Sequence, residues 1–313
     1  LLFYTPIYDF FHLNERYILM TEKKNIKAYA AWITICIIWG TTYLAIKIGV
    51  ADFPPVLFAG FRWLIAGPIL IAVMRLRGYK FPEKGDLIHL GIVGILLLGF
   101  GNVLVVVAEQ YISSGLTSLI ITTTPFWMVL FERFMYKKGK VNKFVIIGLL
   151  LGLAGVILIF SHDIDTVFKG SFFIGAAALL VAVIGWANGT LYSKYKKVSV
   201  DPLMGAAFQM FIAGVILTLL GFSIGEYSYI KATDAGLLSL LYLIVFGSLI
   251  GYTSYIYAVA HLPISLVSTY AYINPVIAVF LGWLVLSEPL NIQLILGGIV
   301  ILFGVWMVKK GAH

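Results

Sequence analysis

The chain is short of charge. Asp, Glu, Lys and Arg make up 12% of its 313 residues, while 61% are hydrophobic; soluble domains carry roughly 25% and 45–50%. A soluble globular protein is thereby excluded, and an integral membrane protein with little mass outside the bilayer is what remains. Cysteine is scarce too. Cys36 is the single one, inside an apolar run, so no disulfide can close within the chain. The five His are scattered, and no Cys/His cluster has metal-ligand spacing, so neither a metal nor another cofactor is expected. No hydrolytic triad, paired carboxylates or activated nucleophile share a common depth, so the chain does not read as an enzyme. The phosphate-cradling pattern Gly-x-x-x-x-Gly-Lys-[Ser/Thr] is missing, which argues against direct use of ATP. Short apolar/polar alternation is missing as well, which argues against a membrane β-barrel. The formal charge of +8 needs no nucleic-acid partner, because it fits loops facing the cytoplasm.

What is present are ten apolar runs, each near the roughly 17–25 residues that cross the hydrocarbon as helix. They lie near 28–48, 55–74, 87–108, 114–134, 144–160, 171–193, 202–222, 235–257, 264–286 and 292–308. The expected fold is an all-α membrane protein of ten transmembrane helices. Lys and Arg sort the loops. One side holds Lys23, Lys24, Lys27, Arg75, Arg77, Lys80, Lys84, Arg133, Lys137, Lys138, Lys140, Lys143, Lys194, Lys196, Lys197, Lys309 and Lys310. The other has only Lys169 and Lys231. Both termini are therefore expected in the cytoplasm, in a multi-pass protein of the inner (cytoplasmic) membrane. Residues 1–27 form a cytoplasmic tail. Leu1 to Leu19 lack a basic start, a clean apolar core and a cleavage site, so they are no signal peptide. Met20-Thr21-Glu22-Lys23-Lys24 reads like a natural start, with residues 1–19 as an upstream extension.

The sequence also repeats. Pro55 through Arg62 to Gly67 aligns with Pro202 through Gln209 to Gly214 at an offset that also pairs Trp39 with Trp186 and Lys47 with Lys194. Pro125 pairs with Pro275 and Gly155 with Gly304 at nearly the same offset. Residues 28–160 and 171–308 thus form two repeats of five spans each. An odd number of spans makes the repeats enter the membrane from opposite sides, an inverted repeat, which many secondary transporters share.

The two prolines are the centre of this reading. A proline inside a helix removes a donor and frees the carbonyl four residues back, that of Ile121 for Pro125 and of Ala271 for Pro275. Freed carbonyls at membrane depth belong where a helix is buried or lines a cavity, and two helix breaks at matching positions point to a solute site between the repeats. Polar and aromatic residues around them supply a lining: Trp39, Tyr43, Asn102, Thr123, Trp127, Trp186, Asn188, Tyr252, Tyr255, Tyr272 and Asn274. Some of these serve only hydrogen bonds between helices. Arg62 is the deepest basic residue and requires an inward partner, either Glu109 or an anionic group on the solute. Glu109 is the acid to test for ion coupling. Lys47 and Lys194 fit snorkelling to headgroups, and Glu132 fits a local pair with Arg133. Gly148, Gly152 and Gly155, with Gly297, Gly298 and Gly304, form small-residue faces for packing within the bundle or a homodimer contact.

With Ile38-Trp-Gly-Thr-Thr-Tyr-Leu-Ala-Ile-Lys47, Pro55 to Gly67, Gly101-Asn102, Ala108-Glu109, Tyr270-Ala-Tyr-Ile-Asn-Pro275 and Glu288-Pro289 assembled, the chain resembles the EamA family of the drug/metabolite transporter superfamily over about residues 28–308. It looks closest to that family's bacterial inner-membrane permeases. The resemblance implies two inverted five-helix repeats around a central cavity, lined largely by helices one, three, four, six, eight and nine, and export of amino acids or other small metabolites. One departure is that Lys138 stands in the first repeat where Glu288 stands in the second. The resulting expectation is a permease that moves a small-molecule substrate through the lipid bilayer by alternating access. A membrane receptor or sensor without flux, and a flippase for a lipid-linked substrate, are its rivals.

Overall fold

Hydrocarbon offers no partners to backbone N–H and C=O groups, so a chain this apolar must satisfy them internally, and it does so as helix. The computed structural model describes residues 7–111, 117, 120–139, 141–159, 172–277 and 292–312. Its helices are α1 (Ile7–Gly49), α2 (Pro55–Leu76), α3 (Lys84–Ala108), α4 (Thr124–Phe134) and α5 (Lys143–Ile159). They continue as α6 (Phe172–Tyr195), α7 (Pro202–Ser223), α8 (Asp234–His261), α9 (Ile264–Ile277) and α10 (Ile292–Ala312). Among the described residues there is no strand. Ile26–Gly49, α2, α3, Phe173–Tyr195, α7 and α8 are long and apolar enough to cross a membrane, while Lys143–Gly155 and Ile264–Ile277 are shorter apolar helices. The chain is an all-α, multi-pass membrane protein. The distal part of the expected 264–286 run, with Glu288, Lys169 and Lys140, lies outside the described residues.

One difference from the expected layout is at the start. The tail is helical from Ile7 and runs unbroken into the first span. No proline or glycine occurs between Pro6 and Gly40, so nothing in that stretch stops a helix.

Helices α2 and α7 cross at glycines. A Cβ on Gly67 would stand 2.6 Å from Phe211 N, one on Gly60 2.8 Å from Thr218 N, and one on Gly221 2.6 Å from the Leu57 side chain; Gly214 faces the Leu64 backbone. Later positions on α2 meet earlier ones on α7, so the two helices run antiparallel. Gly67 with Phe211 and Leu64 with Gly214 are the same contact with the partners exchanged. Helices α5 and α10 repeat the device: a Cβ on Gly148 would stand 2.6 Å from Gly304 O, and one on Gly155 2.7 Å from Gly297 O. These small-residue faces are therefore used inside the bundle, where close backbone approach gains van der Waals contact that lipid cannot outbid.

Helices α3 and α8 each contain a π-helical stretch, Ile95–Val103 and Leu243–Tyr252, whose wider turns insert an extra residue. Both stretches carry glycines that seat a tryptophan from the other half of the chain. A Cβ on Gly101 would meet Trp186 Cε3 at 2.7 Å, and one on Gly251 would meet Trp39 Nε1 at 2.5 Å. Accordingly α1 packs on α8, and α6 on α3.

Both helix breaks precede their prolines. The chain turns at Thr122–Thr123, and Pro125 then occupies the first turn of α4, where its missing N–H costs no helix bond. The Ile121 carbonyl is not orphaned: Thr124 Oγ1 donates to it at 2.5 Å, and Thr123 Oγ1 donates to Ile120 O at 2.8 Å. In α9 the tight turn falls at Ser268–Thr269, with Thr269 Oγ1 donating to Leu266 O at 2.6 Å. Pro275 lies further on within helix. Runs of hydroxyl residues, rather than the prolines themselves, mark where the helices break.

Candidate functional site

A cavity of about 80 Å³ lies where α1, α2, α3, α6 and α8 meet, closed by Ile121 and Thr124 at the α4 break and by Tyr270 of α9. At roughly 10–15 Å³ per water it has room for a few waters, far below the roughly 300–1,000 Å³ of a ligand pocket.

Six of the residues expected at the site line the cavity: Trp39, Tyr43, Arg62, Asn102, Trp186 and Tyr252. Trp39 and Trp186 form a cluster with Tyr255 and Tyr270 whose ring centroids lie 5.4 Å apart for Trp39–Trp186, 5.1 Å for Trp39–Tyr255, 5.1 Å for Trp39–Tyr270 and 5.2 Å for Trp186–Tyr255. These separations suit edge-to-face and tilted contacts. Trp39 Nε1 donates to Gly247 O at 3.3 Å, within the π-helical stretch of α8. Tyr252 donates to Gln209 Oε1 at 2.7 Å, tying α8 to α7.

The other expected residues lie outside the cavity lining, each with a local task. Thr123 serves the helix break, and Trp127 packs on Phe131 at 5.6 Å. Asn188 donates to Ile184 O at 2.9 Å within its own helix. Tyr255 pairs its hydroxyl with Thr190 behind the tryptophans. Tyr272 donates to Leu149 O at 3.1 Å, its ring filling the space over Gly152. With its amide nitrogen turned toward them, Asn274 donates to Cys36 O and Tyr270 O at 3.0 Å each, joining α1 to α9. Sequence reasoning missed Thr42, Trp63 and Tyr270 as lining residues. Thr42 is one helical turn back from Ile46, which also lines, and Trp63 follows Arg62 directly, so neighbourhood was the signal for both.

Arg62 does not pair with Glu109. It is buried, its Nε donates to Ser248 Oγ at 2.7 Å, and its Cζ lies 4.1 Å above the Trp63 ring. Ser248 in turn donates to Leu243 O at 2.9 Å. Glu109 is fully buried just past the end of α3, and neither carboxylate oxygen has a hydrogen-bond partner. Its charged neighbour is Lys47, whose Nζ donates to the Glu109 backbone carbonyl at 2.8 Å. Lys47 therefore does not snorkel, and neither does its repeat mate. Lys194 Nζ donates to Val259 O at 2.8 Å and Leu262 O at 2.6 Å, at the end of α8. Each lysine caps the carbonyl end of the helix facing it, where a cation is favoured. Glu132 turns away from Arg133 and accepts from the Tyr195 hydroxyl. Among the described residues no group of His, Cys, Asp and Glu is arranged to hold a metal.

Comparison with known proteins follows the same lines. The profile of the EamA-like transporter family matches residues 26–161 and again 173–309. The chain is 35% identical over 296 residues to the uncharacterized inner membrane transporter YedA of Escherichia coli (strain K12), covering 94% of each chain. It is 27% identical to the uncharacterized transporter YoaV of Bacillus subtilis (strain 168), covering 90% of this chain and 96% of that one. A protein crystal structure superposes with a TM-score of 0.76 over 91% of this chain and 97% of the other. At 19% identity that likeness concerns the fold alone.

Proposed function

The chain belongs to the EamA-like transporter family, and we propose that it is a secondary transporter exporting small metabolites such as amino acids across the cytoplasmic membrane. The reading takes residues 28–160 and 171–308 as two inverted repeats of five spans, with both termini in the cytoplasm. They rock about the central cavity, so that it opens first to one side and then to the other. The observation that carries it is the cavity itself: small and lined from both halves of the chain, with Trp39 seated on Gly251 and Trp186 on Gly101. The antiparallel crossings of α2 with α7 and of α5 with α10 support the inverted relation. Glu109 is the proposed coupling group. A buried carboxyl with no hydrogen-bond partner, beside a lysine, can exchange a proton as its surroundings open.

Purified protein in liposomes, loaded with a metabolite panel, tests this reading. Flux that requires the protein supports it, whereas ligand binding with no flux under any gradient favours a sensor. A second reading rests on the apolar groove of about 730 Å³ between α1 and α8, walled by Leu44, Ile48, Leu238 and Phe246. A lipid tail can lie there, so a flippase for a lipid-linked substrate predicts headgroup translocation in the same vesicles.

A further inference from the structure

Burying a guanidinium is costly without a compensating charge. Arg62 has none: no carboxylate among the described residues lies in ion-pair range or acts on it electrostatically. Ser248 takes Nε and the Trp63 face takes part of the charge. Those contacts fix the plane of the group but do not neutralise it. The side chain is also given room to be there, because a Cβ on Gly247 would stand 2.6 Å from Nη2.

The rest of the lining also holds buried polar atoms without partners. Trp63 Nε1 is a buried donor with no acceptor and Asn102 Oδ1 a buried acceptor with no donor, whereas the Trp186 indole is turned to the Tyr255 and Tyr270 hydroxyls. Trp63 and Asn102 both line the cavity with Arg62. Buried polar groups are almost always paired, so an unneutralised cation beside one free donor and one free acceptor describes the chemistry of what completes the site. It is a small anion-bearing group, with one hydrogen-bond donor for Asn102.

We propose that the cavity takes its solute by a carboxylate, with Arg62 as the counter-charge and Ser248 and Gly247 as the residues that position it. This rests on the transport reading for the site's use, though the binding chemistry stands on the geometry alone. A planar carboxylate matches the guanidinium fork, which offers two parallel N–H donors to two oxygens. The solute's amino or hydroxyl group then meets Asn102.

The test uses matched probes: L-alanine, L-threonine and L-leucine, each against its carboxamide, with butyrate as a carboxylate lacking the amine. Melting of the purified protein, followed by tryptophan fluorescence, reads binding. The acids are expected to raise the melting temperature and the amides to leave it unchanged. Arg62→Gln should weaken acid binding by about 10- to 100-fold, the usual worth of a charge-assisted bond, and Arg62→Lys by less. Gly247→Ala keeps the charge but displaces Nη2, so it too should lose acid preference; with Arg62→Lys it decides the matter if Arg62→Gln fails to fold. Equal stabilisation by acid and amide overturns the proposal. So does an absence of stabilisation by every acid, or a folded Arg62→Gln that still prefers acids. Vesicle flux separates the two readings: transport of neutral solutes with no acid preference removes this proposal only, and acid binding without flux removes the transporter only.

Discussion

Replacing Gly67 with alanine is the sharpest probe of the α2–α7 crossing. The new methyl would stand 2.6 Å from Phe211 N, where ordinary contact begins at 3.4 Å, so the helices must part by about 0.8 Å, the difference between those two distances. The obstacle is backbone, which no rotamer change can relieve. Overpacking of this kind costs roughly 1–3 kcal/mol. The upper end applies, because parting the helices also loosens the contacts at Gly60, Gly214 and Gly221. Alanine returns about 1 kcal/mol in helix propensity. The net loss is about 2 kcal/mol, or about 4–8 °C in melting temperature at roughly 2–4 °C per kcal/mol. Gly91→Ala is the matched control: its Cβ would meet only the Ile212 side chain, at 3.7 Å or more, so that variant should melt unchanged or slightly higher. Both are compared in one detergent at one scan rate, by size-exclusion recovery after heating. If Gly67→Ala is as stable as Gly91→Ala, the crossing is not held by backbone contact at these glycines, and the inference drawn from it fails.

Lys194→Met strips donors from two carbonyls, those of Val259 and Leu262, and Lys47→Met from one, that of Glu109. At about 1–3 kcal/mol per unsatisfied group, the same heating assay should show the larger loss for Lys194. Glu109→Gln should leave flux in place but remove its response to an imposed pH gradient; a response equal to the parent protein's would take Glu109 out of coupling. Tyr272→Phe loses one buried hydrogen bond to Leu149 O, about 1 kcal/mol of stability, and should transport at the parent rate. Trp186→Phe should slow transport, since its indole lines the cavity. Thr124→Val should destabilise by about 1–3 kcal/mol through the exposed Ile121 carbonyl, with Thr124→Ser restoring most of it.

Where sequence and structure agree, they agree through spacing. Trp39 and Trp186 lie at equivalent positions of the repeat and meet in the structure, and the Gly148 and Gly304 faces close on each other as small-residue faces do. What escaped was whatever depends on the neighbour rather than on depth. Lys47 and Lys194 sit near helix ends, where snorkelling and capping look identical until the opposite carbonyls are placed. Arg62 required a partner, but its depth could not say that Glu109 faces Lys47 instead. The π-helical stretches at Ile95–Val103 and Leu243–Tyr252 were illegible because they are apolar but for Asn102, Ser248 and Tyr252, too few polar positions for an inserted residue to break a visible period. Pro125 drew attention to the correct region one turn too late, since the threonines before it satisfy the carbonyls that let the chain bend.

The crossed seating of the two tryptophans carries a consequence for the chain as a whole. Each indole has its glycine berth on the other matched segment, so residues 26–161 expressed without 173–309 would hold an empty berth and a stranded ring. Neither fragment can wall the chamber by itself. A chain split between them should regain its melting transition only when both pieces are made together, and a first segment working alone would have to borrow its missing wall from a second molecule.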